Sequence, residues 1–165
     1  MNLKLRPWQP NDLDSLVKNA DNFNIARFMT DKFPYPYTRE HGEAFLQMAS
    51  LRDPVNIFAM DVDGLAVGGI GIFPQDDIMR KNAELGYWLG EAHWGRGITT
   101  RAIEEMTAYA FRTFDIARIY ARPFGANLAS QKVLEKNGFK LEATIPQAIF
   151  KNGSYDDELI YAIRR

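Results

Sequence analysis

Residues 84–100 read Glu-Leu-Gly-Tyr-Trp-Leu-Gly-Glu-Ala-His-Trp-Gly-Arg-Gly-Ile-Thr-Thr. The first part has the aromatic and apolar content of a strand, predicted over residues 83–90, and apolar residues at helical spacing after Gly97 predict a long helix. Gly95 and Gly97 let the backbone turn sharply and approach a ligand, and the first amides of a helix have no partner within it. Because such a helix N-terminus binds pyrophosphate well, the stretch predicts a strand that ends in an anion-binding turn. Two glycines alone favour a tight turn that binds nothing, and the segments downstream change this balance.

Upstream of this stretch, the sequence predicts a strand, two helices and a hairpin. Apolar residues alternate with basic ones at residues 3–6, which predicts the strand, and apolar residues at helical spacing follow Asn11 and the capping candidate Thr38. Prolines interrupt residues 33–37, so an aromatic loop is expected there. Two strands, residues 55–60 and 65–73, are predicted on either side of a turn. The helix after Thr38 is expected to bury the apolar residues Ala44, Phe45, Met48 and Leu51.

Downstream, the sequence predicts a strand over residues 116–121, a helix over 126–136, and a final hairpin of strands over 139–150 and 155–163. The order is therefore β-α-α-β-β-β-α-β-α-β-β, an α/β protein with a mixed sheet and helices on its faces. No repeat or change of composition divides the chain, so residues 1–165 are predicted to form a single domain.

Composition excludes several classes of function. The 165 residues carry 20 basic and 21 acidic side chains, so a basic surface for nucleic acid is not expected. The chain has no cysteine, which excludes disulfides and thiolate metal sites, and His41 and His93 lie too far apart to predict a metal site. No apolar leader or membrane span is apparent, so we expect a cytoplasmic protein without a membrane partner.

Two segments carry a family resemblance. Residues 94–98 read Trp-Gly-Arg-Gly-Ile, and residues 127–139 contain Asn127-x-x-Ser130 and end in Lys-Asn-Gly-Phe. In this order and at this spacing they resemble the coenzyme-binding segments of the GNAT superfamily of N-acetyltransferases. The run Glu-Leu-Gly-Tyr-Trp-Leu at residues 84–89 and the Asn-x-x-Ser motif resemble its RimJ/RimL-type, ribosomal-protein branch.

The resemblance extends over essentially the whole chain. It implies the GNAT fold and transfer of an acetyl group from acetyl-CoA, without a metal, to a primary amine of a protein N-terminus or a small molecule. The sequence does not distinguish between these acceptors, nor between a monomer and a homodimer.

The resemblance also implies which residues hold the cofactor. The backbone of residues 95–100 would bind the pyrophosphate, the strand edge at Tyr87 and Leu89 would pair with the pantetheine amides, and Asn127 would contact the pantetheine arm. Lys132 is a candidate for the cofactor's phosphates, although a surface lysine is often only solvated. The full set is Tyr87, Leu89, Gly95, Arg96, Gly97, Ile98, Thr99, Thr100, Asn127 and Lys132. The chain differs from the superfamily pattern Gln/Arg-x-x-Gly-x-Gly/Ala at two positions. Trp94 occupies the first position of the pattern and Thr99 the last.

Two residues are candidates for catalysis. Acetyl transfer requires a neutral amine, and similar enzymes place a carboxylate at the position of Glu84, which acts as a base through an ordered water. A strand glutamate that is solvated or paired with a cation is the alternative. Many relatives protonate the leaving thiolate with a tyrosine where this chain has Leu134, so Ser130 is predicted to replace it, the alternative being a serine that only packs in the helix. A backbone amide near Leu89 would stabilise the oxyanion.

Other functions receive less support. A non-catalytic acyl-CoA-binding module is favoured by Thr99 and by the missing tyrosine, but it is opposed by the presence of both Glu84 and Ser130. The glycine-rich residues 64–71 are followed by Phe-Pro where a dinucleotide-binding helix should begin, and no P-loop occurs. The acceptor is expected to enter past residues 28–37 and the last hairpin, whose aromatic residues could line a pocket or form a core. These residues are Phe28, Phe33, Tyr35, Tyr37, Phe150 and Tyr155.

Overall fold

The computed structural model describes all residues, Met1–Arg165, and contains seven strands and five helices. Their order agrees with the predicted one, except that the one-turn helix α2 lies in a segment whose pattern is only partly helical. The predicted α/β architecture with a mixed sheet is confirmed. The elements are β1 (Leu3–Pro7), α1 (Leu13–Ala20), α2 (Phe23–Ala26), α3 (Arg39–Ala49), β2 (Ile57–Val62), β3 (Leu65–Pro74), β4 (Asn82–Leu89), α4 (Ile98–Thr113), β5 (Arg118–Ala121), α5 (Leu128–Lys136), β6 (Lys140–Lys151) and β7 (Ser154–Arg164).

The seven strands form one sheet in the order β1-β2-β3-β4-β5-β7-β6. All neighbouring pairs are antiparallel except β4 and β5, which are parallel. That parallel pairing extends only from Asn82 to Glu84, opposite Arg118 to Tyr120. Beyond Glu84 the two strands separate, and this separation creates the cleft described below.

Side chains on β4 alternate between two cores, because successive residues of a strand point to opposite faces of the sheet. Leu85 and Leu89 belong to the larger core, which packs under α4 and α5. Trp88 belongs to the second core, with Trp8 and residues of α1 to α3. The strand that bounds the cleft is therefore fixed by packing on both of its faces.

The buried face of α3 agrees with the predicted one only at Phe45, which packs against the second core. Met48 and Leu51 are 48% and 75% exposed, and Ala44 is exposed as well, whereas Gly42 and Ala49 are buried. A Cβ atom on Gly42 would lie 2.8 Å from Leu13 Cδ1, so this glycine is the point of close approach to α1. Apolar periodicity alone could not indicate this rotation, because the contact is made by a residue with no side chain.

No helix of the protein combines the length and the apolar character required to cross a lipid bilayer.

Candidate active site

The cleft between the separating ends of β4 and β5 has a volume of about 880 Å³. Its walls come from β4, the turn before α4, the start of α5 and the loop before it. The segment from α2 to Asp31 and the β6–β7 hairpin complete its other side. Segments far apart in the chain, from residue 24 to residue 158, thus meet at one opening in the sheet.

One wall of the cleft is a strand edge that β5 leaves open, and of its carbonyls Leu89 O accepts from the Trp94 indole. Gly90 N donates to Val67 O, so the even-numbered residues at this end of β4 direct their backbone groups toward β3. Leu85, Tyr87 and Leu89 therefore direct theirs toward the cleft, where β5 has already diverged. An extended ligand with its own amides can add to such an edge as a further strand would.

The turn after β4 ends in a set of free amides. Gly95 and Gly97 have φ values of 74° and 75°, in the left-handed region that favours glycine. Gly97 caps α4, and the backbone N–H groups of residues 98–100 have no acceptor within the protein. Three free donors at the positive end of a 16-residue helix fit the pyrophosphate of a coenzyme.

Trp94 connects this turn to the strand edge. Its indole Nε1 donates to Leu89 O at 2.8 Å, which holds the turn against the end of β4. The contact gives a structural reason for the departure from the superfamily pattern at this position. No sequence motif predicts a hydrogen bond from an indole to a backbone carbonyl five residues earlier. The partner of Trp94 was therefore not predicted from the sequence.

A hydroxyl pair crosses the cleft from β4 to α5. Tyr87 Oη lies 2.6 Å from Ser130 Oγ, across 43 residues of sequence. Burial raises the pKa of Tyr87 to about 12, although the hydrogen bond with Ser130 opposes the shift. Asn127 caps α5 by accepting from Ser130 N at 3.2 Å, which sets the orientation of the first turn of that helix. Ser130 is thus held both through its backbone and through its hydroxyl.

A charged group lies at the far end of the strand edge. Arg122 Nε donates to Glu84 Oε1 at 3.0 Å, and Arg122 Nη1 lies 3.9 Å from Glu158 Oε1. Glu84 is paired with a cation, as in the alternative considered from the sequence, yet it also lines the cleft and its side chain is 27% exposed. Sequence reasoning did not identify Arg122, because the register of β4, β5 and β7 brings it to Glu84 and Glu158, which lie 38 positions before it and 36 after it.

Only part of the predicted aromatic set lies in the cleft. Phe28 and Phe150 line it, and Phe28 packs edge-on against Phe124 at 5.8 Å between ring centroids. Phe33 and Tyr37 instead pack in the second core, and neither Tyr35 nor Tyr155 lines the cleft. The aromatic residues after α2 therefore serve mainly to anchor this loop.

The loop and the last hairpin are joined by a salt bridge. Lys151 Nζ lies 3.0 Å from Asp31 Oδ1, although the two residues are 120 positions apart in sequence. The Lys151 side chain is largely buried while that of Asp31 is exposed, so the lysine stem forms part of the wall. This contact joins the α2–α3 loop to the last hairpin on one side of the cleft.

Most of the predicted site residues meet in this cleft. Arg96 and Lys132 are exposed and do not line it, whereas Lys136 does and was not predicted. No group of three or more His, Cys, Asp or Glu side chains is placed to hold a metal ion. The predicted residues that line the cleft are Glu84, Tyr87, Leu89, Gly95, Gly97, Ile98, Thr99, Thr100, Asn127 and Ser130.

Comparison with known proteins agrees with this geometry. Residues 2–140 match the family described as "Acetyltransferase (GNAT) domain". The chain is 35% identical over 94 residues to the ribosomal-protein-serine acetyltransferase of Escherichia coli (strain K12), an alignment that covers 57% of this chain and 52% of that protein. It is 36% identical over 107 residues to the probable N-acetyltransferase YjcK of Bacillus subtilis (strain 168), covering 65% and 59%. The chain thus spans little more than half the length of these curated relatives.

Among solved structures, the fold resembles that of RimL, a ribosomal alpha-N-protein acetyltransferase in complex with coenzyme A. The TM-score is 0.81 and the sequence identity 27%, over 99% of this chain and 94% of the other.

Proposed function

The chain belongs to the GNAT acetyltransferase family, and on that basis we propose that it transfers the acetyl group of acetyl-CoA to a primary amine. Acetyl transfer follows from membership of the family. The proposal adds that the acceptor is a primary amine. Because every wall of the cleft comes from residues 24–158, we treat residues 1–165 as one catalytic domain.

The observation that carries the proposal is the continuity of the strand edge with the free amides. The edge at residues 85–89 leads through Gly95 and Gly97 to the unpaired amides at the start of α4. A pantetheine arm paired with that edge would place its pyrophosphate on the amides and its thioester toward Glu84. A strand edge and free helix amides in this order fit the binding of an acyl-CoA, and the carboxylate of Glu84 near the proposed thioester position favours transfer over binding alone.

The chain's own residues supply what the reaction needs. The coenzyme provides a thioester, which an amine attacks only when the amine is neutral, and free amines with pKa values of about 8 to 10.4 are mostly protonated at pH 7. Glu84 is proposed to accept the amine proton through a water, and a backbone amide near Leu89 to stabilise the oxyanion. Ser130, across the cleft from the strand edge, is proposed as the donor to the leaving sulfur.

The acceptor is proposed to enter between the α2–α3 loop and the last hairpin. Ribosomal-protein acetyltransferases among the relatives favour the amine of a protein N-terminus. The carboxylates Glu84 and Glu158 outnumber Arg122 at the inner end of this entrance, which favours a cationic acceptor of either kind.

Release of free thiol from acetyl-CoA, measured with peptides carrying free N-termini, polyamines, amino acids and aminoglycosides, tests the proposal. Release that depends on an amine supports it. Coenzyme A at about one hundred times its Kd should also raise the free energy of unfolding by about 2.7 kcal/mol. A raised melting temperature with no turnover of any amine would instead favour a non-catalytic acyl-CoA-binding module, and no shift at all would exclude both functions.

A further inference from the structure

The hydroxyl of Tyr87 is the one polar side-chain group on the free strand edge. Tyr87 lies midway between Leu85 and Leu89, whose backbone groups also face the cleft, and its ring packs against the larger core. Glu84 lies three residues upstream, about 10 Å along the strand. A thioester lying along the edge between the amides at Gly97 and the carboxylate of Glu84 must therefore pass the Tyr87–Ser130 pair.

The direction of the 2.6 Å hydrogen bond decides what Ser130 can do. A serine hydroxyl has a single proton, so a Ser130 that donates to Tyr87 has none left for a substrate. A phenol is the more acidic hydroxyl of the two and hence the better donor. With Tyr87 as the donor and Ser130 as the acceptor, the serine proton is free to point into the cleft.

The geometry points to Tyr87 as a positioning residue that acts through Ser130: its hydroxyl donates to Ser130 Oγ and so directs the serine proton toward the leaving sulfur. This inference rests on the proposed function. Hydrogen bonds in series polarise one another, so a serine that accepts from Tyr87 is also a stronger donor. The backbone of Tyr87 was already expected to contact the coenzyme, but the role of its side chain is new.

Neither Tyr87 nor Ser130 loses a proton in the proposed reaction. The amine nitrogen forms a bond to the acetyl carbon, the carbon–sulfur bond breaks, and its electron pair remains on sulfur. The amine gives up its proton toward Glu84 and the solvent, while Ser130 donates a hydrogen bond to the developing thiolate. Hydrogen bonds to charged acceptors are about twice as strong as neutral ones, so this contact strengthens as the charge develops.

The test uses single-turnover rates, which report the chemical step, with a saturating amine that the wild type accepts. Y87F, S130A and the double variant are compared with acetyl-CoA and with its selenoester analogue, whose leaving group is a weaker base. With acetyl-CoA, Y87F should be slower on the order of ten-fold, the value of one hydrogen bond, and the double variant no slower than S130A. With the selenoester, the ratio of the wild-type rate to the variant rate should fall toward one for both Y87F and S130A.

The rate with acetyl-CoA is divided by the rate with the selenoester for the same preparation of each variant, so a fraction of unfolded protein cancels. Tyr87→Met gives the same comparison if Y87F is poorly recovered. Y109F is the matched control, since Tyr109 loses a 2.6 Å hydrogen bond to Val55 O away from the cleft, and its ratio should equal that of the wild type. Additive losses in the double variant, or an unchanged ratio in Y87F, would overturn the inference alone. A wild type that acetylates no amine would overturn the proposed function and this inference together.

Discussion

Arg122 Nε lies 3.0 Å from Glu84 Oε1, so the carboxylate at the inner end of the cleft is held by a guanidinium from the neighbouring strand. Arg122 Nη2 also donates to Glu84 Oε2 at 3.4 Å, so both oxygens accept from the guanidinium and the carboxylate has a fixed orientation. The pair also explains how a charged side chain is retained at the point where β4 and β5 separate. Glu84 can therefore be structural, catalytic or both, and variants distinguish these roles.

We expect Glu84→Gln to lower turnover by about 100-fold, the lower range for loss of a general base, with little change in the Kd of coenzyme A. The amide keeps the shape of the side chain but accepts no proton. Steady-state rates and coenzyme titration on the same preparation measure the two effects. Glu142→Gln is the control, because Glu142 is also paired with arginines, Arg118 and Arg164, but lies outside the cleft. Full activity of E84Q across pH would remove Glu84 from the mechanism.

Gly97→Ala should weaken coenzyme binding more than it destabilises the fold. Its φ of 75° costs an alanine roughly 1 kcal/mol, and an added Cβ would meet no atom within 4 Å. The strain would be relieved by moving the amides of residues 98–100, which we expect to raise the Kd of coenzyme A about ten-fold. Gly64→Ala is the matched control, with a φ of 93° and equally open space in the β2–β3 turn. Equal effects of both variants on coenzyme affinity would contradict a role for this turn in binding.

Trp94→Phe should also weaken coenzyme binding while leaving the melting temperature nearly unchanged. The variant keeps an aromatic ring at an exposed position but removes the donor to Leu89 O. Loss of one hydrogen bond that holds the turn predicts a several-fold higher Kd. Trp8→Phe removes an indole whose buried Nε1 has no partner, and it should affect stability but not coenzyme affinity. Unaltered binding by W94F would show that the turn is held without the indole.

The Tyr87 hydroxyl should make the fold sensitive to alkali. Burial raises the pKa of Tyr87 to about 12, whereas tyrosine in an unfolded chain titrates near about 10. Between these values the unfolded state has released a proton that the folded state retains, so the free energy of unfolding falls as the pH rises. The loss attributable to this residue is at most about 3 kcal/mol.

Denaturant unfolding of wild type and Y87F at several pH values between 9 and 12 measures this contribution, and the gap between the two should narrow as the pH rises. Tyr37, whose pKa burial also raises to about 12, provides a parallel case in Y37F. If the free energies of unfolding of wild type and Y87F differ by the same amount at every pH, the hydroxyl is in contact with water in the folded protein.

The sequence predicted the features that depend on neighbouring residues. The glycine turn and the helix that follows it are determined by residues within a few positions of each other, and they are observed as predicted. The buried face of α3 was predicted correctly only at Phe45, because Gly42 contributes to packing through the absence of a side chain.

Pairs between distant segments were beyond such reasoning. Nothing local connects Glu84 with Arg122 or Tyr87 with Ser130, which lie 38 and 43 positions apart. A residue could be selected from the sequence because it is polar and lies near a motif. The sequence did not indicate which distant residue it contacts. Of the residues selected for the coenzyme, those in the turn line the cleft except Arg96, and Lys132 on α5 does not line it.

The sequence by itself determined the order of elements, the glycine turn before α4 and the family, because hydrophobic periodicity, glycine conformation and helix capping act over a few residues. Only the tertiary structure decided where β4 and β5 separate, which edge is left unpaired and which hydroxyls and charges meet across the opening. These contacts depend on the register of strands that are distant in the chain, and register is set by the packing of the whole sheet between its two cores.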